Sequence, residues 1–383
     1  MLRLVGAVAP PATERVPLLE SAGRALAEDA PADRDYPPFN RSMRDGFAVR
    51  ASDLPGTFRL IGEVRAGDVF RESVGSGETV EIMTGAPVPD GANTVVMLEH
   101  VVRNDDGTIS MGDPLPSRTN VSEAGCEARQ GDVPLKKGTR LDYTSIAWLV
   151  STGHPTVEVF RKPRVAILAT GDEIVALEDK PAVHQIRNSN AFSLAVQVAR
   201  AGGDPVLLPV APDDLAATVK LIEQGLAADL LILSGGVSAG KYDVVEPAFA
   251  QLGAEFFFDR VLIQPGAPTV FGKARGKFFF GLPGNPASTM VTFELFARAA
   301  IDLLSGASHA PLPLTLGRLT RPLRHKGSLT RFLPAFVNCT EVTPVDSKGS
   351  GDVASLTRAN AYLVVDAEKL EYAAGELIPV LLK

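Results

Sequence analysis

The stretch from Asp229 to Asp243, DLLILSGGVSAGKYD, holds the densest set of residues able to do chemistry in this chain. Leu230 to Leu233 is a continuous apolar run, as expected of a strand buried on both faces. It ends at Ser234-Gly235-Gly236, where the missing Cβ atoms allow a sharp turn and a close approach of backbone to ligand. Ser238, Gly240, Lys241 and Asp243 follow where a helix should begin. Strand, glycine turn and helix N-terminus aim free N–H groups and the helix dipole the same way, which suits a phosphate. The plainer alternative is an ordinary βα turn that needs two glycines. Gly235 to Lys241 also fits the G-x-x-x-x-G-K spacing of nucleotide-hydrolysing P-loops. Such loops continue with a Ser or Thr hydroxyl on magnesium. Tyr242 stands at that position, and this reading is disfavoured.

The elements around this stretch alternate regularly over residues 164–304. Arg164 to Thr170 reads as a buried strand ending at Gly171-Asp172-Glu173. Asn188 or Ser189 opens a helix that Gly202-Gly203 closes, and Asp213 or Asp214 caps a second helix. A third helix is expected from about Asp243 to Leu252, and strands near 256–263, 269–273 and 277–281. Pro283-Gly284-Asn285-Pro286 then leads into a long helix to Leu304, with Asn285 as N-cap. That order predicts a mostly parallel sheet covered by helices. Its loops would gather Asp172, Glu173, Ser238, Lys241, Asp243, Asn285 and Ser288 at one carboxyl edge. Carboxylates beside a phosphate loop point to magnesium, which offsets repulsion between acids and phosphate oxygens. No Ser-His-Asp or Cys-His arrangement is evident, so nucleophilic covalent catalysis is not supported.

Outside this part the signals are shorter. Residues 12–29 read as an amphipathic helix with Val16, Leu18, Leu19 and Leu26 on its apolar side. Residues 31–53 form a polar loop after Pro37-Pro38 that places Asn40, Ser42 and Asp45 between Phe39 and Phe47. This loop is either a site element or a turn before a strand. Residues 58–111 read as a β-rich insertion and 142–152 as a short helix, and residues 312–383 return to short strands that suit a small barrel. The fold class is therefore α/β and multidomain. The divisions are 1–30 with 120–160, 31–119, 161–306 and 307–383.

Composition sets the outer limits. Hydrophobic residues at 45% and charged residues at 22% over 383 residues are globular values. A net charge of −7 argues against general nucleic-acid binding. Cys126 and Cys339 are the only cysteines, and the five histidines show no metal-ligand spacing. No apolar run reaches membrane-spanning length and no signal peptide is evident, so a cytoplasmic protein is expected.

TGDEI (170–174), SGGVSAGKYD (234–243) and GLPGNPAS (281–288) resemble the pterin-binding domain of the molybdopterin molybdenumtransferases, the MoeA and gephyrin E-domain family. The resemblance continues in PPFNRSMRDGFAVRASD, EIMTGAPVPDGANTVV and SGDVASLTRANAYLVV, and so spans nearly the whole chain. It implies a four-part subunit, a homodimer, and contact with other molybdenum cofactor biosynthesis proteins. The implied reaction is insertion of molybdenum from molybdate into adenylylated molybdopterin, with Mg2+ present and AMP released. Carried over residue by residue, Asp45, Asp172 and Asp243 would be catalytic, with Asp172 and Asp243 on the metal. Thr170, Gly171, Glu173, Ser189, Ser234, Gly235, Gly236, Ser238, Lys241, Pro283, Gly284, Asn285 and Ser288 would hold the molybdopterin nucleotide.

The chain departs from the family pattern at several points. The usual first acid of the N-terminal loop is Asn40, and the usual G-E-D reads Gly125-Cys126-Glu127. The usual K-P-G-K reads Gln264-Pro265-Gly266-Ala267, and an arginine common after glycine looks replaced by Ser328, with Arg331 near. Loss of two lysines weakens oxyanion capture by roughly 10² to 10⁴ if nothing compensates. A non-catalytic pterin-nucleotide-binding paralogue or scaffold therefore stands as the alternative to the transferase.

Overall fold

The structure is a computed structural model that describes residues 1–8, 11–236 and 244–383. The chain divides into two compact units, one of Asp29–Lys136 with Thr144–Pro155, the other of Met1–Glu28, Lys137–Tyr143 and Thr156–Lys383.

In the smaller unit a six-stranded sheet runs in the order Thr94–Met97, Gly46–Val49, Glu78–Ile82, Gly56–Val64, Thr108–Met111, Val101–Arg103. Gly56–Val64 and Glu78–Ile82 are parallel and the other neighbours antiparallel. Alternation sends Phe47 and Val49 to one core with Phe58, Val96 and Ile109, and Ala48 to another with Val80, Ile82 and Val95. Both faces are thus covered, and the strands read as apolar without a clean polar side.

In the larger unit a second six-stranded sheet has the order Asp204–Leu207, Arg164–Ala169, Leu230–Ser234, Lys277–Leu282, Val270–Ala274, Glu255–Phe258. The first four strands are parallel, and the last two form an antiparallel edge. Val165, Ile167, Leu230 and Ile232 face one side with Leu194, Val198, Phe293 and Ile301 of the covering helices. Ala166, Leu168, Leu231 and Leu233 face the other with Ile222, Ala248 and Phe249. Two covered faces explain the unbroken apolar runs, and each buried large side chain contributes about 1.5–3 kcal/mol.

A closed five-stranded barrel follows. Thr330–Asn338 pairs in turn with Glu341–Pro344, that strand with Leu314–Leu319, then Leu377–Leu382, then Ala361–Val365, which returns to Thr330–Asn338. Closure leaves no open edge among these five strands.

Two expectations are corrected. Residues 12–29 are not helical: Thr13–Pro17 is a strand antiparallel to Thr156–Phe160, followed by a 3-10 turn at Leu18–Ser21. Pro17 cannot donate to a helical ladder, and Val16 and Leu18 are buried through pairing while Leu19 stays 84% exposed. The strand expected over 256–263 is shorter, at Glu255–Phe258, and Ile263–Gln264 instead leaves the sheet to pair in parallel with Thr330 and Arg331 of the barrel. The long helix also carries a local change. It runs as α-helix Pro286–Thr292, a π-helical turn Phe293–Ala297, then α-helix Arg298–Leu304.

Candidate functional site at the carboxyl edge of the parallel sheet

Register fixes where the loops emerge. Ala169 is paired with Ser234, and Ser234 with Leu282, so three strands end level at one edge. The backbones beyond them are stitched together. The Thr170 N–H donates to the Ser234 carbonyl at 3.2 Å, Gly171 N–H to Ala211 carbonyl at 3.1 Å, and Gly235 N–H to Leu282 carbonyl at 3.1 Å.

Glycine is required here by both conformation and space. Gly235 and Gly236 adopt φ of 90° and 63°, the left-handed region. A Cβ on Gly236 would lie 2.6 Å from Val245 Cγ2 and 2.8 Å from Thr170 Oγ1. One on Gly284 would meet the Gly235 Cα at 3.5 Å. The glycine turn and the PGNP turn therefore lie against each other.

Side chains frame this edge. The Asp172 carboxylate accepts the Asp213 N–H through Oδ1 at 3.0 Å. Glu173 folds back over Gly171, its Oε2 2.4 Å from where a Cβ would stand. Both acids are exposed, whereas Thr170 and Ser288 are buried. Ser189 is the first residue of the Ser189–Arg200 helix and is exposed; Asn188 is its cap, accepting from Ala191 N–H at 3.1 Å. Asn285 caps the next helix through its backbone position, with Pro286 at the first helical place and no side-chain cap bond. The buried Thr289 hydroxyl donates to the Pro283 carbonyl at 2.5 Å and holds the turn.

Two orphaned atoms mark the same edge. The Ser234 hydroxyl is buried at 3% residue exposure and has no hydrogen-bond partner among the described residues. Asn190 donates through Nδ2 to the Gly284 carbonyl at 2.7 Å, and its buried Oδ1 has no partner among the described residues. Each unmet buried group costs about 1–3 kcal/mol. Asn190 escaped the sequence reading, although its place one residue after Ser189, in a polar helix start, was the available signal.

Ser238, Lys241 and Asp243 lie outside the described residues, as does the start expected for the helix that runs Val245–Gln251. Among the described residues no group of three or more His, Cys, Asp or Glu forms a metal cluster. Magnesium commonly takes one or two protein carboxylates and completes its shell with water and substrate phosphate. Asp172 is one such carboxylate at this edge, and Asp243, the second acid expected on the metal, lies outside the described residues.

Asp45 belongs to the other compact unit. Its carboxylate accepts the Thr84 N–H at 2.6 Å and the Thr84 hydroxyl at 2.8 Å. These bonds to the charged form hold its pKa below the usual carboxylate value. Asn40 accepts the Ala124 N–H at 2.9 Å, and Cys126 Sγ lies 3.4 Å from the Ser122 hydroxyl.

Residues 1–153 match the family description "MoeA N-terminal region (domain I and II)", 166–302 the "Probable molybdopterin binding domain" and 317–383 the "MoeA C-terminal region (domain IV)". The molybdopterin molybdenumtransferase of Bacillus subtilis is 36% identical over 97% of this chain and 90% of its own length. The chain belongs to the molybdopterin molybdenumtransferase family. The enzyme of that name from Staphylococcus aureus (strain Mu50) is 33% identical over 96% of this chain and 90% of its own length. Two crystal structures of the molybdopterin biosynthesis MoeA protein from Pyrococcus horikoshii cover 100% of this chain and 97% and 98% of theirs. They have TM-scores of 0.73 and 0.79 at 32% and 30% identity. This molybdopterin molybdenumtransferase relative is thus a transferase of molybdenum cofactor biosynthesis. No helix among its described residues is long and apolar enough to cross a membrane.

Proposed function

We propose that this chain inserts molybdenum from molybdate into adenylylated molybdopterin, with Mg2+ bound and AMP released. The observation that carries the reading is the meeting of the Ser234-Gly235-Gly236 and Pro283-Gly284-Asn285 turns at one sheet edge, where a Cβ on Gly236 would run into Val245 and Thr170. Such bare backbone lets N–H groups approach phosphate oxygens, and the orphaned Ser234 hydroxyl offers one more donor. In this reading Thr170, Gly171, Glu173, Ser189, Ser238, Lys241 and Ser288 complete the nucleotide contacts. Asp172 and Asp243 would hold Mg2+, which when bound would supply positive charge against the phosphate oxygens. Asp172 is oriented for this by the Asp213 N–H. Asp45, kept ionised by Thr84, is the third catalytic acid. The reading includes a homodimer, cytoplasmic location and the division into residues 1–30 with 120–160, 31–119, 161–306 and 307–383.

The test is AMP release from adenylylated molybdopterin by the purified protein with magnesium, across a molybdate titration. Molybdate-dependent release is expected. Tight nucleotide binding without release at any molybdate concentration would instead make the chain a binding paralogue.

A further inference from the structure

The six-stranded sheet of the smaller unit has two edges, and the fold treats them differently. At the Thr94–Met97 edge a neighbouring stretch of chain covers the strand. The Val95 N–H donates to the Thr119 carbonyl at 3.0 Å, Asn120 Nδ2 to the Val95 carbonyl at 2.9 Å and the Thr94 hydroxyl to the Pro116 carbonyl at 2.8 Å. At the other edge Val101–Arg103 pairs with Thr108–Met111, and no described strand or bridge lies on its outer side.

The Asn104 N–H donates to the Thr108 carbonyl at 2.9 Å, which fixes the phase of this ladder. Bonded pairs alternate along antiparallel strands, so Val102 bonds to Ser110 while the N–H and carbonyl groups of Val101 and Arg103 point outward. Val102 is 63% exposed, and an open groove of about 700 Å³ beside it is lined by Thr57, Ser110, Glu99, His100 and Asp113. An outward row of peptide groups next to an exposed β-branched side chain is a template for one more strand.

Charge decides what that strand is. Glu99 and Asp113 lie at one end of the open edge, and Asp105 and Asp106 in the turn at the other. The strand's own arginine is already paired, Arg103 with Glu81 at 2.6 Å. Asp106 accepts the Thr108 N–H and hydroxyl at 3.0 and 2.7 Å, whereas Glu99, Asp105 and Asp113 have no ion-pair partner among the described residues. These acids exclude a second copy of the chain. Antiparallel pairing about Val102 would set Glu99 of one copy opposite Asp105 of the other, and like charges destabilise a strand pair. A segment with basic residues flanking a short β-branched centre fits instead. Its centre packs on Val102, its peptide groups meet those of Val101 and Arg103, and its cations reach acids at both ends.

We infer that the Val101–Arg103 edge docks another protein, which adds an extended, lysine- or arginine-bearing strand to this sheet. The inference is independent of the transferase reading, because none of these side chains belongs to the phosphate edge.

The probe is a fluorescein-labelled peptide of sequence KKTVTVKK, with EETVTVEE as its acidic counterpart, titrated into the full chain at low ionic strength and followed by anisotropy. The variants are Val102→Lys, the pair Glu99→Lys with Asp113→Lys, and the control Glu20→Lys, all at exposed positions and each checked for an unchanged Tm. Wild type is expected to bind the basic peptide. Both edge variants are expected to weaken it at least about 10-fold, and Glu20→Lys to leave it within about twofold. Hydrogen exchange separates strand addition from loose charge attraction: the bound peptide is expected to slow exchange of the Val101 and Arg103 amides. No binding by wild type, equal binding by the edge variants, equal binding of the acidic peptide, or binding that leaves those two amides unprotected would each overturn the inference.

Discussion

The two polar loops singled out in the sequence turn out to be built on opposite principles. In the smaller unit the loop from Phe39 to Phe47 has these polar groups satisfied within that unit: Asn40 holds Ala124 N–H, the Ser42 hydroxyl donates to the Arg44 carbonyl, and Asp45 holds Thr84 twice. At the carboxyl edge of the parallel sheet, groups are left unmet, with the Ser234 hydroxyl and Asn190 Oδ1 buried and unpartnered among the described residues beside the left-handed Gly235-Gly236 turn. A satisfied polar loop is a clamp, whereas an unsatisfied one awaits a ligand. The contrast teaches which of two equally polar stretches is rigid before substrate arrives.

The largest effect expected from this contrast is at Gly236. Gly236→Ala puts a Cβ into Val245 and Thr170 at φ 63°. It should abolish nucleotide binding, by more than about 100-fold in Kd, while costing only about 1–3 kcal/mol of stability in a denaturation midpoint. Wild-type affinity in this variant would mean that the turn is scaffold like the other loop.

A middle-sized effect is expected at Asp45, and its sign with pH is set. Because the Thr84 bonds depress the folded-state pKa, the stabilisation is present above the unfolded value of about 3.9 and is lost as pH falls through the lower folded value. Asp45→Asn should therefore lower Tm near pH 7 and approach the wild-type curve in strong acid. Thr84→Val should reproduce much of that Tm loss. If Thr84→Val leaves turnover nearly intact while Asp45→Asn abolishes it, the carboxylate does more than clamp.

The smallest effect is expected at Asn40. An aspartate can accept the Ala124 N–H as well as the amide does, so Asn40→Asp alone should change Tm by no more than a degree or two. Any larger gain in AMP release would show that the charge missing from this loop matters to the reaction rather than to its shape.

Much of the architecture was legible in advance because local rules agreed with the global fold. Leu230 to Leu233 reads as a doubly buried strand, Asp214 as a cap and Asn285-Pro286 as a helix start, and each occurs at its expected place. Residues 12–29 misled because Val16, Leu19 and Leu26 satisfy a helical spacing, whereas Leu19 is exposed and Val16 is buried by a partner strand more than a hundred residues away. Pairing across such a distance leaves no local trace. Asn190 was passed over for the same kind of reason, since its importance lies in the Gly284 carbonyl 94 residues on.

The sequence by itself determined the order of strands and helices, the glycines that a left-handed turn demands, and the family, because these depend on backbone conformation and on residue types set side by side. Only the tertiary structure decided which polar groups are already satisfied. It tied Asp45 to Thr84 and Asn40 to Ala124, and left Ser234 and Asn190 with atoms unmet among the described residues. Hydrogen bonds and ion pairs act over about 3 Å in space, whatever the separation along the chain, and composition or spacing cannot supply that distance.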